Sequence, residues 1–223
     1  MTGLLTVLQH ADSAFPSGGF AFSNGIEGLA ALGAPLGRDG LAVAVAAMMR
    51  HRWASSDRVA LVRAYRAGDD LARIGEVDRA VEAATLVEPL RAGSRRNGGA
   101  LLAAHIRLAT PGAALFGSAI DRGRAFGHLA VVQGFVWRSV GLPQREAVAI
   151  SGYAAAAGLI AAAVRLGTIG AVDAQAALKL TLDVVAELIE TEVAPDAEIT
   201  SFAPWVDAAA ARHARAWVRL FAS

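Results

Sequence analysis

Apolar positions along this chain recur at intervals of three and four, as in Ile74, Val77, Val81 and Ala84, or Leu178, Leu182, Val185 and Ile189. That is the period of one buried face on an α-helix, and no long run alternates as a strand would. Start signals stand where such helices need them: Asp39 before residues 41–49, the run Ser55-Ser56-Asp57 before 59–65, and Pro143 before 144–164. Gly33, Gly68, Gly141 and Gly167 fall where helices should end. The pattern predicts an all-α helical bundle of about eight to ten helices with short connections. No linker rich in proline, serine or charge divides the chain, so residues 1–223 read as a single domain. Two stretches, 12–23 and 193–204, lie outside the helical pattern. They are the candidates for specificity, because connecting segments carry function more often than packed helices do.

Composition narrows the function classes. The 223 residues hold 21 Lys+Arg against 20 Asp+Glu, a formal +1 that gives no general attraction to nucleic acid or anionic lipid. The absence of cysteine excludes disulfides, thiolate metal sites and a cysteine nucleophile, and fits a reducing cytoplasm. Of the 55 % hydrophobic residues, 52 are alanines, so much of that figure is helix-forming methyl groups. The start Met1-Thr2-Gly3-Leu4 lacks a basic flank and an apolar signal core, which predicts an intracellular protein. Residues 147–164 are an uncharged run of 18, at the lower edge of a membrane span, but dominated by alanine; they read as a core helix.

Most nucleotide and catalytic signatures are missing. The one lysine, Lys179, lies between two leucines, so the chain has no P-loop; Gly18-Gly19 and Gly98-Gly99 form no dinucleotide fingerprint, and no Gly-x-Ser-x-Gly elbow occurs. The histidines, His10, His51, His105, His128 and His213, never pair at helical ligand spacing. No stable metal site and no cofactor is expected. His51, between two arginines, reads as a solvated helix end, and His128 as a hydrogen-bonded core histidine with a transient metal or gating role behind it. Arg91, Arg95 and Arg96 with Asn97 fit either a contact to phosphate or carboxylate or an exposed helix face. The small-residue run from Tyr153 to Val164 fits core or subunit interface.

The most specific feature is the first loop, Phe15-Pro16-Ser17-Gly18-Gly19-Phe20-Ala21-Phe22-Ser23, leading into Asn24-Gly25-Ile26-Glu27-Gly28. Pro16 fixes φ, the paired glycines permit conformations closed to other residues, and Phe20 and Phe22 offer anchors. Its plain reading is a tight turn before a helix capped by Ser23 or Asn24. With the preceding Leu4-Leu5-Thr6-Val7-Leu8-Gln9, this loop resembles the N-terminal signature of the UreF family of urease accessory proteins. Asp57 and the residues after it, the 91–102 segment, Phe126-Gly127-His128, the alanine-rich helix ending Val164-Arg165-Leu166-Gly167, and the end Arg219-Leu220-Phe221-Ala222-Ser223 follow in the family's order. The chain departs from the family's pattern at Ser17, Phe22, Thr168 and Ala222. The resemblance implies a non-enzymatic, cytoplasmic, all-α homodimer that binds UreD (also called UreH) and, with it, recruits and modulates the GTPase UreG, so that nickel reaches apo-urease. Neither nucleic acid nor membrane is an expected partner. Alternatives are a helical interaction protein serving another metalloenzyme, and an enzyme with a cryptic site around His128 and nearby carboxylates.

The C-terminal stretch carries an argument of its own. Pro195 and Pro204 forbid one continuous helix there. Glu187, Glu190, Glu192, Asp196 and Glu198 precede a segment bearing Arg212, Arg215 and Arg219 among Trp205, Trp217, Leu220 and Phe221. Large aromatic and arginine side chains are favoured interface anchors. Residues 193–223 are therefore expected to be mobile in the free protein and to order against UreD. The expected partner-binding set is Phe15, Pro16, Gly18, Gly19, Phe20, Phe22, Ser23 and Glu27 at one end, and Trp205, Arg212, His213, Arg215, Trp217, Arg219, Leu220 and Phe221 at the other.

Overall fold

Helix starts and stops written into the sequence set most of the element boundaries of the computed structural model, which describes residues 2–19, 22–213 and 221. In chain order the helices are α1 (Thr2–Ala11), α2 (Ile26–Ala31), α3 (Arg38–Met48), a π-helical segment (Met49–Asp57), α4 (Arg58–Ala67), α5 (Leu71–Ala84) and α6 (Glu88–Arg107). They continue with α7 (Ala113–Asp121), α8 (Leu129–Ser139), α9 (Gln144–Arg165), α10 (Ala171–Glu190) and α11 (Pro204–His213). No strand occurs among the described residues, as the periodicity predicts; the short α2 and the early α1 bring the number of α-helices to eleven. Gly33, Gly68, Gly141 and Gly167 all take positive φ at helix ends, the conformation in which glycine alone escapes Cβ strain. Pro143 stands at the N-cap of α9, and Asp70 caps α5 by accepting from the Ala72 and Arg73 amides at 3.0 and 3.1 Å.

One expected boundary is absent. Ser55-Ser56-Asp57 caps nothing: α3 runs through the π-helix into α4, and the Arg58 amide donates five residues back to the Trp53 carbonyl. Burial explains it, because Met49, Trp53, Ala54 and Ser56 face the interior and hold the chain helical where local propensity would end it. The Trp53 indole donates to Ser151 Oγ (3.1 Å), which donates to Gln133 Oε1 (3.2 Å), tying this segment to α9 and α8. His51 is exposed, but within this segment rather than at a helix end.

At the centre lies α8, whose residues from Ala130 to Trp137 are all buried. It packs against α4, α6, α9 and α5, while α10 lies on α9 and α3. Its approach to α4 is close because Gly134 has no side chain; a Cβ there would stand 2.3 Å from the Leu61 carbonyl oxygen. The α9 helix is long and apolar enough to cross a membrane, yet 56 % of its most apolar window is buried inside the protein, against α10, α1, α4 and α8.

Candidate partner-binding site

The first loop is folded by its own short-range bonds. Asp12 accepts from the Ala14 amide at 2.8 Å through its side chain and from Phe15 at 3.0 Å through its carbonyl. Gly18 takes φ +74, and a Cβ there would stand 3.1 Å from that of Ala100 on α6. Phe22 is buried against α6, its ring at Gly93 and under the Arg96 guanidinium, 5.4 Å from the ring centroid. Neither Ser23 nor Asn24 caps α2: the N-cap is Gly25, at φ +99, with no side-chain bond. The left-handed pair Asn24 and Gly25 turns the chain instead, while Ser23 is buried and its carbonyl accepts from Ile26 at 3.1 Å. Pro16, Gly18 and Gly19 remain exposed, and Phe15 is half-buried. Phe15 and Pro16 help line an open groove of about 590 Å³ with Gln9, Asp12, Arg107 and Leu108, floored by alanines of α6.

The C-terminal segment packs on α2. α11 lies on α2, and both glycines of that contact are required by space: a Cβ on Gly28 would stand 2.5 Å from the Ala209 carbonyl oxygen, and one on Gly25 2.6 Å from Val206 Cγ1. Glu27, buried, accepts from the Phe221 amide at 3.2 Å, and the Arg165 guanidinium lies 4.3 Å from the centroid of the buried Phe221 ring. Thus Glu27 and Phe221, expected as separate partner contacts, bind one another. Outside these contacts Phe202 (76 % exposed), Trp205 and Arg212 face solvent, as do Leu4, Leu5 and Leu8 on α1. Those leucines escape sequence reasoning because an apolar residue on a short helix reads as core. Phe20, Arg215, Trp217, Arg219 and Leu220, and the side chain of His213, lie outside the described residues.

Residues 191–203 are held by backbone contacts to the π-helix and α4. The Thr200 and Phe202 amides donate to the Ser55 and His51 carbonyls at 3.0 and 3.2 Å, and Ser55 Oγ donates to the Thr200 carbonyl at 2.8 Å. Arg58, buried, donates to the Leu188 and Thr191 carbonyls at the end of α10, and Arg66 to the Val193 carbonyl at 2.8 Å. Burial raises the Asp207 carboxyl above its ordinary range, and the Asp57 carboxyl likewise; the Arg52 charge opposes both shifts. The acidic run is partly neutralised, Glu187 by Arg50 and Glu190 by Arg145, in solvent-exposed pairs that contribute little.

The remaining candidates close on themselves. Buried His128 bonds Glu82 through Nε2 (2.8 Å) and Ser94 Oγ through Nδ1 (3.1 Å); its amide, with those of Phe126 and Gly127, donates to the buried carboxylate of Asp78. Arg91 and Arg95 both reach Glu82, and Arg91 also pairs with Glu88, so those two arginines are engaged within the fold. With His128 buried and Glu82 shared by His128, Arg91 and Arg95, the cluster ties α5 and α6 to the start of α8. Among the described residues no three potential metal ligands gather.

The comparisons with known proteins bear on the whole chain. The UreF family model matches residues 37–180. A urease accessory protein UreF of Yersinia enterocolitica is 32 % identical over 224 residues, covering 99 % of this chain and 98 % of that protein. The urease accessory protein UreF 1 of Brucella melitensis is 31 % identical over 233 residues, covering 99 % and 93 %. An all-helical fold, the first-loop signature and full-length similarity of this extent lead to one conclusion: the chain belongs to the UreF family of urease accessory proteins.

Proposed function

We propose that this protein is a non-catalytic, cytoplasmic scaffold of urease maturation. It binds UreD (UreH), acts as a homodimer, and in that complex recruits and modulates the GTPase UreG so that nickel is delivered to apo-urease. The carrying observation is the junction of α2 with α11 and Phe221, which brings the end of the first loop to the C-terminal segment and leaves Phe202 and Trp205 in solvent. Exposed aromatic side chains next to buried anchors are what a protein-binding surface requires.

The test is UreD capture by substitutions at exposed side chains, with a terminal deletion beside them. Phe202→Ser combined with Leu5→Ser should lower UreD affinity at least about tenfold, the loss of one or two interface anchors, with unchanged far-UV circular dichroism. Capture at full affinity by this variant and by a chain lacking residues 212–223 overturns the assignment of the surface. For the homodimer contact we propose the outer face of α9, a reading supported by the 40 % exposure of Tyr153 and the open space beside Gly158. Tyr153→Arg should convert a dimer into a monomer by light scattering; an unchanged mass places the interface elsewhere.

A further inference from the structure

Three rings stack where the first loop returns to the body. His10 of α1 lies 4.9 Å from Phe15 and 5.4 Å from His105 of α6, between centroids, and Phe15 lies 5.6 Å from His105. His105 is fully buried and His10 half-buried. His10 Nδ1 bonds the Thr6 carbonyl at 2.8 Å, so it must donate, which leaves a lone pair on Nε2. His105 Nδ1 bonds the Thr110 hydroxyl at 2.9 Å. Nε2 of both rings is buried with no hydrogen-bond partner.

An imidazolium carries N–H on both nitrogens, so a proton on either ring points a charged donor at no acceptor, next to a second imidazole. The charged groups of the surrounding elements give no relief. Asp12 of the first loop is spent on the Ala14 amide, Arg107 of α6 lies on the groove rim and is itself cationic, and Asp121 ends α7. α9, packed on α1, carries charge only at its ends, in Arg145, Glu146 and Arg165. None of these bonds either ring.

We propose that the His10–Phe15–His105 stack is a proton-sensitive latch: with both imidazoles neutral it clips α1 and the first loop onto α6, and protonation releases residues 2–15 while the rest stays folded. Burial, and secondarily the charge of His10, push His105 down to about 4 from its ordinary 6.5. The open form takes up its proton as pH falls through 6.5, the closed form only near 4, so acid favours opening throughout that interval. Between about pH 7 and pH 5 the opening constant should rise about 20-fold from His105 alone. An effect on partner capture rests on the proposed function, since Phe15 and Pro16 belong to that surface; the latch itself does not.

Hydrogen exchange on the full chain, corrected for intrinsic rates, reads it directly. Amides of residues 6–11 should lose about 20-fold in protection from about pH 7 to pH 5, while those of α8 hold, and His105→Phe should abolish the change. His105→Gln is the second variant: it can keep a hydrogen bond to Thr110 and carries no group that titrates in this range, so it too should abolish the change. Constant protection of α1 in the parent chain, an equal loss in both variants, or a loss shared by α8 overturns the latch. UreD capture that ignores pH while the exchange signature is present leaves the latch standing and overturns its tie to the partner surface.

Discussion

Asp78→Ala should lower the unfolding free energy by about 4 kcal/mol, read from urea denaturation, because it strands two buried amides and a third that is partly buried. The Asp78 carboxylate accepts from Phe126 at 2.6 Å, Gly127 at 2.7 Å and His128 at 3.0 Å, and the residue is fully buried. Those amides belong to the turn that starts α8, the central helix, where Gly127 takes φ +77 against the Ile120 side chain. No other acceptor can follow the change, since Glu82 already serves His128, Arg91 and Arg95. Asp78→Asn keeps one acceptor oxygen and should recover about half of the loss. A loss below about 1 kcal/mol for the alanine variant contradicts this account of the turn.

Adjacent glycines of α6 should respond in opposite directions. A Cβ on Gly98 would stand 2.0 Å from the Gly127 carbonyl oxygen and 2.9 Å from the His128 carbonyl carbon, so Gly98→Ala forces α6 away from the start of α8. The contact is with backbone, which cannot rotate aside, and the expected cost is about 3 kcal/mol or more. Gly99 has nothing within 4 Å of its Cβ position and is exposed in mid-helix. Gly99→Ala should stabilise by about 0.5–1 kcal/mol through helix propensity alone. Thermal midpoints of the two variants decide the matter: shifts of the same sign remove close packing as the reason for the glycine at 98.

The fold was legible where local chemistry decides it. The terminating glycines and Pro143 act through their own φ preferences, and the three-and-four spacing of Leu178, Leu182 and Val185 marks the packed side of α10. Reading failed at Ser55-Ser56-Asp57 and at Ser23-Asn24, where side chains suited to capping are claimed by the tertiary structure: Ser55 Oγ by the His51 and Thr200 carbonyls, Ser23 by burial. The candidate site was half visible. The first loop and the terminal segment stood out by composition, but their meeting, from Glu27 to Phe221, spans 194 residues and follows from no local rule. The stacking of His10 on His105 is hidden for the same reason. Asp78 left a trace, since it falls between Ile74 and Val81 on the apolar stripe of α5, where a charge is out of place unless something binds it.

The segment from Met49 to Asp57 winds wider than its neighbours, and that constrains how chain length can change in this part of the molecule. Losing one residue from α3 or α4 would swing everything beyond it by about 100° and turn a buried stripe to water. Losing one from the wide turns would let them tighten toward ordinary pitch. The carbonyls of His51 and Ser55 would then swing away from the Phe202 and Thr200 amides. A single-codon deletion here would therefore leave the bundle assembled and strip the C-terminal stretch of its berth, separating scaffold from attachment in one genetic step.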